Sequence, residues 1–414
     1  MGDRDARRGG PRLSDARRWR VLGLLALAEV LGMSLWFSAS AVAGQYRALW
    51  QLTPAEAGWL TTAVQLGFVV GTAGAAVLNL ADLFSSRWYF AASALLGAAA
   101  NAGLAWAGDY HTALACRFAT GVCLAGVYPP AMKMAATWFR SDRGLAIGII
   151  VGALTVGKAM PYLVRSVEAS GARGVILAAS AGAALAAALV ALGYRDGPFE
   201  FPRRAFSWRL VAGVVRHRET RLATAGYLGH MWELYAMWTW VPAFLATSTG
   251  SDASVLAFGA IAAGGVGAVW GGWAARRLGY ARVVTLAMAV SGVCSLAVGL
   301  VFGRSLWILA PLVLLWGFFV VADSAQFSAM VTELSPSHAV GTALTLQTSL
   351  GFLLTMVTIQ LIPALVEAVG WSFAFPVLAL GPALGIAAIR RLGDRFAPAA
   401  HPSQSPPSTE IPRL

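Results

Sequence analysis

The stretch VLGLLALAEVLGMSLWFSASAVA, residues 21–43, carries one ionisable side chain, Glu29, in twenty-three positions. A run of about 20 apolar residues is long enough for a helix to cross a hydrocarbon core. Inside that core only helices and closed barrels satisfy every main-chain polar group. Runs of the same kind recur along the chain at 57–80, 88–107, 111–135, 144–164 and 174–193, and again at 222–247, 254–274, 282–302, 305–330, 340–365 and 371–389. A polar connector holding Pro198, Pro202, Arg203, Arg204, Arg209, Arg216 and Arg218 separates the two sets of six. Composition agrees: 58% of the 414 residues belong to the AVILMFWYC set and 12% are charged, against about 45–50% and 25% in soluble domains. A soluble globular protein is excluded.

The net charge of +12 could point to nucleic acid, so the placement of the charges decides its meaning. With the N-terminus cytoplasmic, 25 of the 31 Lys and Arg fall on the cytoplasmic side. Four, Arg47, Arg165, Arg173 and Arg304, fall outside, and Arg117 and Lys158 lie within spans. Cytoplasmic loops carry the positive excess. Both termini are therefore expected in the cytoplasm of a bacterial-style inner membrane, with the bilayer as partner and no nucleic acid. The Arg-rich start and small residues Ala41, Val42 and Ala43 imitate a cleaved signal peptide, but the run's length and Glu29 favour a span. Cys116, Cys123 and Cys294 sit inside apolar runs and form no disulfide or metal pattern.

Three local matches suggest an internal repeat, as expected of a carrier built from two halves. Arg143-Gly144-Leu145-Ala146 opens the fifth span and Val340-Gly341-Thr342-Ala343 the eleventh. The loop after the second span, with Asp82 and Arg87, parallels the loop after the eighth, Gly272 to Arg282. Glu29, Met33 and Trp36 in the first span repeat as Glu233, Met237 and Trp240 in the seventh. The fold class expected is an all-α membrane protein: twelve transmembrane helices in two pseudo-symmetric six-helix bundles. Residues 1–18 and 393–414 read as disordered cytoplasmic tails, 19–193 and 222–392 as the bundles, and 194–221 as a cytoplasmic linker.

This organisation resembles the major facilitator superfamily, over residues 20 to 392. That family carries, between its second and third helices, Gly, three residues, Asp, Arg, any residue, Gly, Arg and Arg or Lys. Here Asp82 and Arg87 fit, while Leu78, Leu83, Ser85 and Ser86 depart. The second copy fits better with Gly272, Arg277 and Gly279, although Arg276 takes the acidic position. The resemblance implies charge contacts there that join the bundles on the cytoplasmic side. Arg117 and Gly121 in the fourth span match an Arg, three residues, Gly pattern whose Arg the family associates with proton coupling. The fifth span has Gly152, Gly157, Lys158 and Pro161 where drug antiporters show Gly-Pro, two residues, Gly-Gly. The second and eighth spans lack the Arg that nitrate carriers share, which leaves a cyanate-permease-like branch of small-solute permeases open.

An ionisable residue near the bilayer centre costs at least about 2.5–3.5 kcal/mol and is by default a functional candidate. Glu29, Arg117, Lys158, Glu233 and Asp323 qualify. Glu29 lies nine residues past Arg20, about 13 Å into the membrane at the helical rise. Glu29, Met33 and Trp36 share one helical face, as do His230, Glu233, Met237 and Trp240. Glu29 and Glu233 are expected to face each other across the pseudo-two-fold axis, at least one binding the coupling proton, with Asp323 a third candidate. The alternative is a carboxyl that stays neutral or pairs with Arg117 or Lys158 as a strut. Asp323, with Gln326 at i+3, is a cavity site or an inter-helix contact. Arg117, Lys158, His230, Trp36, Trp240 and Gln347 are the substrate-binding candidates: the cations attract a carboxylate or phosphate, and the rings offer faces to a cation. Trp232, Tyr235 and Trp238 offer similar faces. His230 and Glu233 alone make a poor metal pair, so neither metal nor cofactor is expected.

No phosphate loop, Cys pair or catalytic Ser, His and acid set is present. The chain reads as a monomeric secondary transporter and not an enzyme, taking up a small organic solute by symport with protons. Efflux of a drug or metabolite is the alternative, and a non-transporting sensor a further one.

Overall fold

Each apolar run of the sequence is built on helix in the computed structural model, which describes residues 15–139, 142–167, 171–199, 207–336 and 338–393. The two expected disordered tails fall largely on 1–14 and 394–414 and lie outside the described residues, as do 200–206 of the linker. The first half contains α1 (Asp15–Met33), α2 (Ser38–Ala41), α3 (Ala43–Trp50), α4 (Pro54–Val77), α5 (Leu80–Leu83), α6 (Ser86–Gly103), α7 (Tyr110–Leu124), α8 (Tyr128–Ala136), α9 (Arg143–Arg165) and α10 (Gly171–Gly193). The connector holds α11 (Trp208–Arg216). The second half contains α12 (Arg218–Thr249), α13 (Ser254–Leu278), α14 (Tyr280–Ala297), α15 (Leu306–Ala322), α16 (Ser324–Leu334), α17 (Val340–Val369), α18 (Trp371–Ala374) and α19 (Leu380–Arg390). No strand occurs among the described residues.

Among the described residues, eight of the spans are helical and long and apolar enough to cross a bilayer. Local chemistry starts several of them. Thr53 and Glu56 form a capping box ahead of Pro54, and Asp109 accepts from the Thr112 main-chain N–H at the head of α7. Spans that read as continuous are interrupted in the first between α1 and α2, in the fourth before Pro129 and Pro130, and in the tenth at Asp323, and the twelfth passes through a 3-10 turn at Phe375–Ala379 between α18 and α19. A break in a membrane helix frees carbonyls that must find other donors.

The neighbour pattern of the first half repeats in the second. α4 packs on α7 as α13 packs on α15, and α1 lies against α9 and α10 as α12 lies against α17 and α19. α6 touches α7 and α10 as α14 touches α15 and α19. The bundles therefore share one internal topology, and they meet through two related contacts, α9 with α13 and α4 with α17. At the first of these the helices touch backbone to backbone. A Cβ on Gly152 would stand 2.8 Å from the Gly265 carbonyl oxygen, and one on Gly265 would stand 2.9 Å from that of Gly152. Small residues let membrane helices approach this closely. On the second contact Gln65 donates to Thr355 and Gln360 donates to Thr62, each at 3.0 Å.

Candidate functional site

Lys158 lies on α9 at the height where that helix touches α1. A Cβ on the neighbouring Gly157 would fall 3.1 Å from the Glu29 carbonyl oxygen, so only glycine permits the approach. The lysine is 1% exposed. Its ammonium donates to the Tyr235 hydroxyl and stands 4.0, 4.6 and 5.1 Å from the ring centroids of Trp36, Tyr235 and Trp238. Trp36 comes from the break in the first span and the other two rings from α12, so the box is assembled from both bundles. Phe68 of α4 and Phe352 of α17 close it further, packing on Trp36 with tilted rings at centroid distances of 5.1 and 5.7 Å.

A desolvated cation over an aromatic ring gains about 2 kcal/mol, whereas burying the ammonium costs at least about 2.5–3.5 kcal/mol. Three rings and the Tyr235 hydroxyl together offset that cost. Glu29 is fully buried. Among the described residues neither of its oxygens has a hydrogen-bond partner, nor do Trp36 Nε1, Trp238 Nε1, the Tyr162 hydroxyl or the side-chain amide of Gln347. Tyr162, Trp238 and Tyr235 all border Phe37, at centroid distances of 6.5, 6.2 and 6.4 Å.

Arg117 makes none of these contacts with a counter-ion. Its Nε donates to the Leu60 carbonyl at 3.2 Å, and Nη1 to the Leu35 carbonyl at 2.9 Å, the Ser38 hydroxyl at 3.2 Å and Asn101 Oδ1 at 3.0 Å. Its Nη2 donates to the Trp36 carbonyl. The guanidinium thus serves the carbonyls freed by the break between α1 and α2.

The expectation that Glu29 and Glu233 face each other is corrected. Glu233 Oε2 accepts from the Ser291 hydroxyl at 2.8 Å and Oε1 from Trp316 Nε1 at 2.7 Å. Both donors belong to Glu233's own bundle and turn its carboxyl inward. Nearby, His230 Nδ1 lies 2.9 Å from Asp323 Oδ1, and His230 Nε2 lies 2.9 Å from the Ser324 hydroxyl, at the break in the tenth span. Trp240 stays out of the lysine box and donates through Nε1 to the Ile359 carbonyl at 2.8 Å.

The paired loops behave differently from one another. Arg87 Nε donates to the Ala191 carbonyl at 2.7 Å, within its own bundle. The side chain of Asp82 lies outside the described residues. Gly279 ends α13 with φ of +82°, a conformation that suits glycine. A Cβ on Gly272 would lie 3.5 Å from the Gly144 carbonyl oxygen of the other bundle. Arg277 stacks on Trp273 at 4.4 Å, whereas its neighbour Arg276 crosses to Asp142 at 3.7 Å, and Arg18 reaches the same Asp142 at 3.5 Å.

Sequence reasoning missed Asp142, Asn101, Tyr162, Ser291 and Trp316. Asn101, alone in an apolar run, carried a usable signal. Ser291 and Trp316 carried none, because such residues are ordinary in membrane helices.

A family model described as Major Facilitator Superfamily matches residues 22–358. Over 87 residues the chain is 40% identical to the niacin transporter NiaP of Acinetobacter baylyi (strain ATCC 33305 / BD413 / ADP1). That stretch covers 20% of this chain and 19% of the relative, so the match spans less than a fifth of the relative's length. A solved bacterial homolog of the human lysosomal transporter Spinster, inward-facing and unoccupied, aligns with a TM-score of 0.72 at 16% identity, over 94% of this chain and 100% of that one. At that identity the likeness shows the fold.

Proposed function

The chain belongs to the major facilitator superfamily, and from that premise we propose that it is a secondary transporter taking up a small organic solute together with protons by alternating access. It is a transporter and not an enzyme. The observation that carries the solute site is the Lys158 ammonium, shut at the meeting of the bundles inside a box of Trp36, Tyr235 and Trp238. A site made by both halves is taken apart and rebuilt when the halves rock, which is what alternating access requires. The relative's name makes nicotinate the first solute to try.

For the proton, Glu29 is the carrier. Two donors hold the Glu233 oxygens in place, whereas those of Glu29 have no partner among the described residues and are open to a proton. Asp323 and His230 form a second polar site in the C-terminal bundle, and Gln347 offers its amide toward the pathway. Arg117 supports the Trp36 main chain and spends most of its donors on carbonyls and on Ser38 and Asn101. The side bearing the Arg18, Asp142 and Arg276 cluster is the cytoplasmic one, which puts both termini inside a bacterial inner membrane, consistent with the distribution of Arg. We take the protein to work as a monomer, with residues 19–193 and 222–392 as its moving halves. The antiporter pattern is absent from the fifth span, which favours uptake over efflux.

The test is solute-driven proton flux in liposomes holding the purified protein, with an imposed pH gradient and a panel of carboxylates, amino acids and lipophilic cations. Flux is expected in the wild type and in Glu233→Gln, and its loss in Glu29→Gln. Undiminished flux in Glu29→Gln refutes the assignment of the carrier, and no solute movement in the wild type refutes the transporter reading.

A further inference from the structure

We infer that the cytoplasmic end of the C-terminal bundle, where α11, α12 and α19 meet, holds an anionic phospholipid of the inner leaflet. Its phosphate lies among Arg218, Arg390 and Arg391, and one acyl chain runs along α19. The inference adds a partner outside the solute pathway and takes from the reading above only which side is cytoplasmic.

The register of α19 sets the place of the chain. Leu380, Leu384, Ala387 and Arg391 fall at i, i+4, i+7 and i+11, on one helical face, and all four are exposed. The two leucines are 56% and 72% exposed. Arg391 keeps helical dihedrals past the end of α19, with φ −73° and ψ −11°, so the face continues to it. From Leu380 to Arg391 the helix rises about 16 Å, and half of a hydrocarbon core is about 15 Å deep. An acyl chain lying on the leucines therefore brings its headgroup level with the arginines.

The head of α12 brings further positive charge to the same place. Arg218 Nη2 donates to the Arg391 carbonyl at 3.2 Å, which ties the two helix ends together. Arg390 precedes Arg391, Arg221 lies within a turn of Arg218, and Arg216 ends α11 two residues before it. All five arginines are exposed. Among the described residues none of the five makes an ion pair with a carboxylate. Glu219, the acid that lies between them in sequence, stands 3.4 Å from His217 Nε2. Arg218 and Arg221 also occupy the first turn of a helix, where the macrodipole disfavours cations and favours anions. Such a cluster calls for an anion, and basic groups just cytoplasmic of a membrane helix recognise anionic headgroups. A zwitterionic head would bring its own ammonium into the cluster. A free phosphate would have nothing to lay along Leu380 and Leu384.

The test uses the full chain in phosphatidylcholine nanodiscs with a trace of phosphatidylglycerol that carries a photoreactive group beside its headgroup, followed by mapping of the labelled peptides. Label is expected on residues 207–221 and 380–392, displaced by unlabelled phosphatidylglycerol but not by added phosphatidylcholine or by inorganic phosphate in the buffer. Arg218→Gln, Arg390→Gln and Arg391→Gln should each weaken that labelling about fivefold, the effect of one arginine near an anionic surface. Arg304→Gln, an exposed arginine at the opposite end, should leave it unchanged. Displacement by phosphatidylcholine, label spread evenly around the bundle, or label undiminished when all three arginines are replaced overturns the inference. Displacement by inorganic phosphate also overturns it, by making a soluble anion the occupant. The readout involves no solute, so failure of the transporter reading in liposomes is a separate result.

Discussion

Replacing Arg117 by leucine separates a structural clasp from the proton-coupling role that the family resemblance implies. The substitution removes five hydrogen bonds, but their loss is not equal. Ser38 and Asn101 keep their bond to each other at 2.7 Å, and Asn101 keeps Ser180 at 2.9 Å. The Leu35 carbonyl retains the Ser38 hydroxyl at 3.0 Å, and Leu60 sits inside the continuous helix α4. The Trp36 carbonyl, in the break, loses most. A buried acceptor left without its donor costs about 1–3 kcal/mol, and hydrogen bonds from charged groups contribute about 1.5–3 kcal/mol each. Against this, removing a charge from the membrane interior recovers about 2.5–3.5 kcal/mol. The several bonds outweigh the recovered charge, and a net destabilisation of about 1–3 kcal/mol is expected, enough to lower the melting temperature by about 1–3 °C in a chain of this length. Uptake should fall further than stability, since the freed break no longer holds the Trp36 ring over Lys158. The assay is tryptophan-detected thermal unfolding alongside solute uptake at several pH values. An unchanged melting temperature with a displaced pH profile would falsify the clasp and restore the coupling role.

Gly152→Leu should obstruct the approach of α9 to α13 at a cost of about 1–3 kcal/mol, shifting the equilibrium between open and closed forms by about 5–150-fold. Faster alkylation of Ala268→Cys in that background is the expected sign, and an unaltered rate refutes it. A double-mutant cycle on Gln65 and Thr355 should give a coupling of about 0.6 kcal/mol in thermal unfolding, typical of membrane hydrogen bonds; zero coupling there and at Gln360 with Thr62 would remove these pairs as a closure. Arg276 and Asp142 are 49% and 31% exposed, so their cycle should yield under about 1 kcal/mol and shrink further with added salt. A larger, salt-insensitive coupling counts against a surface pair. At the head of α7 the Thr112 main-chain N–H and hydroxyl hold the Asp109 carboxyl below its ordinary pKa. Its contribution is complete above the unfolded value of about 3.9 and fades as pH falls through the lower folded value. Amide exchange in the first turn of α7 should therefore rise in acid in the wild type but not in Asp109→Asn.

The apolar runs were enough to place the helices, because a chain in hydrocarbon must bond its own main chain and has few ways to do so. The repeat in the first and seventh spans was legible for a related reason: spacing fixes which residues share a helical face. Spacing does not say what that face meets. Glu29 and Glu233 occupy matching positions, yet among the described residues one carboxyl has no hydrogen-bond partner and the other is turned into its own bundle by Ser291 and Trp316. The breaks at the first and tenth spans left no mark in hydropathy, since the residues on either side stay apolar.

Residue type and spacing by themselves determined a twelve-run, all-helical membrane chain, the side on which its Arg residues gather, and the five charges buried at depth. Tertiary structure alone decided what each charge meets. Arg117 finds carbonyls, Lys158 finds three rings and a tyrosine hydroxyl, and Arg276, in place of Arg277, finds Asp142. The physical reason is that a buried charge is defined by the partners that replace its water. Those partners lie tens to hundreds of positions away, on helices whose mutual rotation is set by packing and not by local sequence.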